Sequence, residues 1–211
     1  MAISYDETND YYSLVDDASL TLPNSDWSIG IWTRVADNSG SLYQYLLSNN
    51  VFGVAHSLNL SIEESGGGFN PNKWICGIGT GIQLVSSSAP DADGKDRLIV
   101  LTRSSGTVYM YFCEAGGTAS SQASASISEA VDGGGWNIGR RVDGDADRYY
   151  GSVAAEFFKG DFALTTDEIT ALGNGATLLD LGKAPDAYLP METAESTLVD
   201  LVGSNDATRV D

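Results

Sequence analysis

Trp27-Ser28-Ile29-Gly30-Ile31-Trp32-Thr33-Arg34-Val35 alternates with a period of two. Trp27, Ile29, Ile31 and Val35 fall on one side, and Ser28, Gly30, Trp32 and Arg34 on the other. Successive side chains of a strand point to opposite faces, so the stretch reads as a strand with its apolar face on a core. Trp32 adds a large ring to the second face, as expected of a strand central in a two-layer fold. It is therefore expected to be buried and needed for folding, its replacement by Ala costing ~3–5 kcal/mol.

The same period recurs on both sides of this stretch. Arg97 to Arg103 and Thr107 to Cys113 flank Ser104-Ser105-Gly106, a connector short enough for a hairpin. Further strands are expected at Tyr11 to Val15, Leu42 to Leu47, Val51 to Ile62, Trp74 to Ile78, Ile82 to Ser86, Trp136 to Gly139, Gly151 to Phe158 and Ala187 to Met191. A first strand begins at Ile3. Gly-, Ser- and Asp-rich turns separate them at Ser65 to Gly68, Ser87 to Gly94, Gly116 to Ser121 and Asp132 to Gly135. Many short strands with regular turn signals predict a sandwich or closed barrel. One helix is expected: Thr165 with Glu168 forms a capping box, Ile169 and Leu172 give an apolar stripe, and Gly173 supplies the stop. No fixed-period repeat or long linker divides the chain, so residues 1–211 are expected to form one domain.

The 211 residues can bury a sizeable core without disulfides or metals. Eleven Lys and Arg against 29 Asp and Glu give a net charge of −18. That field repels nucleic-acid phosphates and anionic lipid heads, so neither nucleic acid nor membrane is an expected partner. No run approaches the ~18 apolar residues of a spanning helix. The opening Met1-Ala2-Ile3-Ser4-Tyr5-Asp6 has none of the features of a signal peptide. Cys76 and Cys113 each lie in an apolar strand-like run and are expected to be buried free thiols, with a single bridge as the alternative.

The order of segments carries a resemblance. Ile3-Ser4-Tyr5-Asp6-Glu7-Thr8-Asn9-Asp10-Tyr11-Tyr12 resembles the opening of laminin G-like, concanavalin A-like jelly rolls, with Glu7 where Gly is usual. Ser28 to Val35 resembles that family's strand with a central Trp, and Arg97 to Cys113 its hairpin, with Phe112-Cys113-Glu114 in place of an aromatic-Asn-Gly turn. Trp136-Asn137-Ile138-Gly139-Arg140, Tyr150 to Phe158, and Leu164 to Leu172 follow in the family's order. Tyr188-Leu189-Pro190-Met191-Glu192 and Val199 to Asn205 are similar to its closing segments. The resemblance implies an all-β, concanavalin A-like antiparallel β-sandwich, a jelly roll with one short edge helix.

Some members of that superfamily hydrolyse glycans with carboxylates on one strand face. Retaining chemistry sets such groups ~5 Å apart, a spacing that alternate strand positions supply. No E-x-D-x-E triplet occurs here; Glu63-Glu64 are adjacent, and Glu156 stands alone in its strand. Lyase chemistry of this shape uses His and Tyr, and the single histidine, His56, reads as a strand residue. No catalytic residue is expected. Asp143-Gly144-Asp145-Ala146-Asp147 gathers hard oxygen ligands suited to calcium, yet Arg148 and Ala154 stand where an EF-hand needs Gly and Glu. A solvated acidic turn is the first reading of Asp143, Asp145 and Asp147, and a calcium site the second. Exposed aromatic rings stack on sugar faces or anchor interfaces, and Tyr11 and Tyr149, each in a Tyr-Tyr pair, are the candidate binding residues. Trp27, Trp32, Trp74 and Trp136 read as core.

The expected function is that of a non-catalytic virion structural protein, a bacteriophage capsid-decoration or tail-associated protein synthesised in the host cytoplasm. Its expected partners are a viral capsid or tail protein, cell-surface glycans and further copies of itself. The alternatives are a free or cell-surface carbohydrate-binding lectin module and, third, a glycan lyase or hydrolase.

Overall fold

The computed structural model describes residues 3–4, 11–14, 17–35, 43–50, 54–63, 73–87, 95–131, 135–140, 151–190, 197–203 and 206–210. In chain order the strands are β1 (Ile3–Ser4), β2 (Tyr11–Leu14), β3 (Trp27–Val35), β4 (Tyr43–Ser48), β5 (Leu58–Glu63), β6 (Lys73–Ile78), β7 (Ile82–Val85) and β8 (Arg97–Ser104). They continue with β9 (Thr107–Glu114), β10 (Ser120–Ser126), β11 (Asn137–Ile138), β12 (Gly151–Gly160), β13 (Ala187–Pro190), β14 (Thr197–Leu198) and β15 (Ala207–Val210); the helix α1 (Thr166–Gly173) follows β12. The strands form two sheets. The first runs β1-β12-β3-β8-β9-β10, with β13 also paired to β12, and the second runs β14-β15-β2-β11-β4-β5-β6-β7. Every pairing is antiparallel.

Alternation builds the core between the sheets. Trp27, Ile29 and Ile31 of β3 meet Ile99 and Leu101 of β8 and Val108, Met110 and Phe112 of β9. Leu58, Leu60 and Ile62 of β5 and Trp74, Cys76 and Ile78 of β6 face them from the second sheet. Trp74 and Phe112 touch edge to face across the layers, centroids 6.3 Å apart.

The first sheet is also apolar on its outer face. Leu98, Val100, Cys113 and Phe158 form a second cluster there with Leu164, Ile169, Leu172 and Leu178, so α1 lies over β8 and β9. Trp32 packs against this second cluster and is only half-buried, unlike Trp27, Trp74 and Trp136 in the main core. The expectation of a fully buried Trp32 is thus corrected: the cover on its face is one short helix and not a second sheet. Gly30 makes room in the same layer, since a Cβ there would meet Phe158 Cζ at 2.2 Å.

A buried hydroxyl pair fastens the cover. Ser28 Oγ and Thr102 Oγ1 lie 2.9 Å apart on adjacent strands. Ser28 Oγ donates to Phe162 O at 2.7 Å, and Leu164 N lies within 3.0 and 3.1 Å of the two hydroxyls. Buried Lys159 closes the two ends of the helix-bearing connection, with Asp161 Oδ1 at 2.6 Å and Asp186 Oδ2 at 2.8 Å. The capping box forms as expected: the Thr165 side chain accepts from Glu168 N, and Glu168 Oε2 accepts from Thr165 N at 2.8 Å. The stop is displaced. Gly173 is the last helical residue and Asn174 the cap. Gly175, at φ +91, takes the left-handed position, with Gly175 N bonded to Leu172 O and Ala176 N to Ala171 O in a Schellman arrangement. Gly173 serves packing instead, because a Cβ there would meet Cys113 Sγ at 2.2 Å.

Two further differences are informative. Ser120–Ser126 is a strand, although its Ser and Ala residues carry no strong apolar period; pairing with β9 and the partial packing of Ala123 and Ala125 on the core hold it. The expected strand from Val51 to Ile62 is shorter, beginning at Leu58, because the chain turns at residues 54–57. His56 sits in that turn at φ 62, exposed, with Nδ1 2.9 Å from Ala130 O, and so is not a strand histidine. Both cysteines are buried and free. Cys76 lies in the inter-sheet core and Cys113 in the helix-covered cluster, which rules out the bridge.

Trp27→Ala is expected to cost ~3–5 kcal/mol in urea denaturation, and Trp32→Ala clearly less; equal costs would contradict the half-buried placement. A second expectation concerns acid. Burial works against the charged form of Glu168, but the Thr165 N–H and hydroxyl and Lys183 outweigh it and hold the carboxyl below its ordinary value. A depressed folded-state value gives stability that is present above the unfolded value of about 4.3 and lost as pH falls through the folded one. The melting-temperature gap between wild type and Glu168→Gln should therefore shrink as pH drops below about 4, and a gap unchanged by acid would contradict it.

Candidate functional site

The second sheet presents a polar outer face, and strand register aligns it. Thr208 of β15 stands opposite Ser13 of β2, Ser13 opposite Asn137 of β11, and Asn137 opposite Ser48 of β4. Ser48 stands opposite Asn59 of β5, Asn59 opposite Gly77 of β6, and Gly77 opposite Gln83 of β7. Neighbouring strands lie about 4.8 Å apart, so this row of hydroxyls and amides runs roughly 29 Å across the sheet. It contains no charged side chain.

Local sequence explains the row. In β5, Leu58, Leu60 and Ile62 take the core side, which leaves Asn59, Ser61 and Glu63 outward. In β4, a register shift between Tyr45 and Leu47 lets both Leu46 and Leu47 reach the core and returns Ser48 to the outer face. The row is open at its ends, where Thr208 and Gln83 are exposed, and closed at its centre: Asn137 is 7%, Ser48 0% and Asn59 1% exposed. Ser48 Oγ donates to Arg140 O at 2.9 Å. Asn59 differs, for among the described residues neither its amide nitrogen nor its amide oxygen has a hydrogen-bond partner. An unpaired buried polar group costs about 1–3 kcal/mol, and such a group marks the place of a water, an ion or a ligand.

Tyr11 lies at the edge of this face. Its neighbour Tyr12 turns into the core, as alternation predicts, and Tyr11 points outward, half-buried, with Arg140 Cζ 5.0 Å from its ring centroid. Asp143, Asp145, Asp147 and Tyr149 lie outside the described residues. Among the described residues no group of three or more His, Cys, Asp or Glu could hold a metal ion. No local signal marks Asn59, Ser48 and Asn137, because only the pairing of three separate strands puts them in line.

No protein-family model and no curated protein matches the chain. Solved structures do. A candidate carbohydrate-binding protein from Bacteroides ovatus superposes with a TM-score of 0.74 at 16% identity, over 100% of this chain. The fold is a lectin-like jelly roll. The jelly roll here spans 58% of that protein's length. The enzymatically active domain of tailspike protein 2 from bacteriophage CBA120 gives a TM-score of 0.57 at 16% identity, over 84% of this chain and 28% of that one. The CBM40 of Ruminococcus gnavus IT-sialidase, bound to α2,3-sialyllactose, gives 0.56 at 12% identity, over 82% of this chain and 98% of that one. At these identities the likeness carries the fold alone.

Asn59→Leu, close in size, removes two unpaired polar atoms and is expected to leave stability in urea equal or higher, by up to about 1–3 kcal/mol. A loss of stability would mean that the amide is paired in solution.

Proposed function

We propose that the protein is a non-catalytic, lectin-like module that binds glycans on the outer face of its second sheet, and that it serves on a bacteriophage particle. The observation that carries the binding reading is the Asn59 amide, buried without a partner midway along a row of hydroxyls and amides. A sugar hydroxyl both donates and accepts, so neighbouring hydroxyls of one ring can meet an amide's N–H and C=O together. Such pairing removes the desolvation penalty that the free protein carries. The fold shared with carbohydrate-binding proteins supports the same reading.

The absence of catalysis is supported by the position of His56, on an exposed turn against a backbone carbonyl. The phage setting is supported by the tailspike likeness and by the order of segments in the sequence. A free or cell-surface lectin is the second reading, favoured by the Bacteroides ovatus likeness over the whole chain.

On a glycan array the wild type should bind, and Asn59→Leu should bind about tenfold more weakly or worse, the equivalent of about 1.4 kcal/mol. Equal binding by the two would overturn the site. Reducing-sugar and unsaturated-uronate assays on alginate, laminarin, agar and chitin should stay flat, and turnover that vanished in His56→Ala would defeat the non-catalytic reading. Cosedimentation with purified phage particles at fixed stoichiometry separates the virion protein from the free lectin, which would stay in the supernatant.

A further inference from the structure

We infer that Tyr109 and Tyr111, on the outer face of the first sheet, form a second saccharide site that stacks the rings of a neutral glycan. The site lies on the opposite outer face from the polar row and goes beyond it, resting on the glycan-binding reading only for its class of ligand.

Alternation in β9 sends Val108, Met110 and Phe112 into the core and Thr107, Tyr109 and Tyr111 outward. The cover formed by α1 reaches Leu98 and Cys113, and Tyr111 packs against its margin. Tyr109 and Tyr111 stand where that cover ends, between α1 and the edge strand β10, and both rings are half-buried. Their centroids are 6.2 Å apart and their planes are inclined by 35°. The two rings thus make a shallow surface of two adjoining steps.

What borders the rings defines the ligand. On one side Thr166 Oγ1 lies 3.5 Å from Tyr111 Oη. On the other, Ser121 and Ser124 of β10 stand opposite Tyr111 and Tyr109, both exposed and too short to cover the rings. β10 is tied to the segment after β7, since Ser87 Oγ donates to Gln122 Oε1 at 2.9 Å, and within β10 Gln122 Nε2 donates to Ser120 Oγ at 2.8 Å. Two aromatic faces with hydroxyl groups at the margin match a pyranose, which has apolar C–H faces and a hydroxyl periphery. Protein interfaces are depleted in serine relative to the rest of the surface, and Ser121, Ser124 and Ser126 line the margin of these rings. The surface has no cation among these residues, and the chain carries −18, so a sialic acid or uronate gains nothing there and a neutral sugar is selected.

Isothermal titration calorimetry of the full chain with neutral hexasaccharides (cello-, laminari- and malto-series) and with α2,3-sialyllactose tests this. For a neutral ligand the wild type should show two sites per chain. Tyr109→Ala/Tyr111→Ala should retain one site, with binding at the other weakened about tenfold or more. Ser124→Arg, which places a long side chain beside Tyr109 without touching the core, should weaken the same site if the double variant fails to fold. Sialyllactose should not bind at the tyrosine surface. A single site unaffected by either variant but lost in Asn59→Leu would overturn this inference and leave the polar row standing. A single site lost in the tyrosine variants and kept in Asn59→Leu would uphold this inference and overturn the polar row. Sialyllactose binding that depends on the tyrosines would overturn the selection for neutral ligands. Silence toward every sugar would overturn both sites.

Discussion

The structure depends on keeping the first sheet dry on both faces. β3, β8 and β12 carry large apolar side chains inward and outward, so one opposing sheet cannot bury them all. The connection from Asp161 to Asp186 meets that demand, and the Ser28–Thr102 pair locates it. Two hydroxyls on adjacent strands, both sealed from solvent, satisfy each other and the backbone of Phe162 and Leu164. Few other residues could do this: an apolar pair would leave Leu164 N unsatisfied, and an unpaired buried N–H is costly. The Lys159 bridges to Asp161 and Asp186 then hold the ends of the same connection.

The second sheet differs, with an outer face that is polar, buried at its centre and open at its ends. The helix and its flanking turns lie over the first sheet only, and the second sheet keeps an outer face of serine, asparagine and glutamine. That face is uniform in chemistry because hydrogen-bonded strands place residues of equal phase side by side. The register shift in β4 matters here: without the extra residue, Ser48 would turn inward and the row would break at its middle. The tyrosine surface has a related origin, since the cover of α1 ends at Tyr111, which packs against its margin, and leaves Tyr109 beyond it half-buried. The ends of the polar row meet solvent through Thr208 and Gln83, and the tyrosine surface through its half-buried rings.

Much of this was legible in the amino-acid order. The period of two in Trp27–Val35 located β3 to the residue, and the hairpin at Ser104 to Gly106 and the Thr165–Glu168 capping box formed as read. These are local signals, in which neighbours in sequence decide the outcome. Where a neighbour in space decides, the reading failed. Ser120–Ser126 has no period of its own and is a strand because β9 pairs with it. Gly173 has the composition of a helix stop, yet the closeness of Cys113 explains it, and Gly175 makes the turn.

The sequence by itself determined an all-β fold, most of its strands and the side of each that seeks a core, because alternation and turn chemistry act within a few residues; the lectin-like class followed from the resemblance in the order of segments. It also determined the net charge of −18, since net charge needs no structure. Tertiary structure alone decided which polar residues share a face. Ser13, Ser48, Asn59 and Asn137 come from four separate segments, and nothing in any one segment marks them. It likewise decided that Trp32, Tyr109 and Tyr111 would be half-buried, because exposure on a sheet face is set by what lies over it, and the length and anchoring of a distant connection fix that.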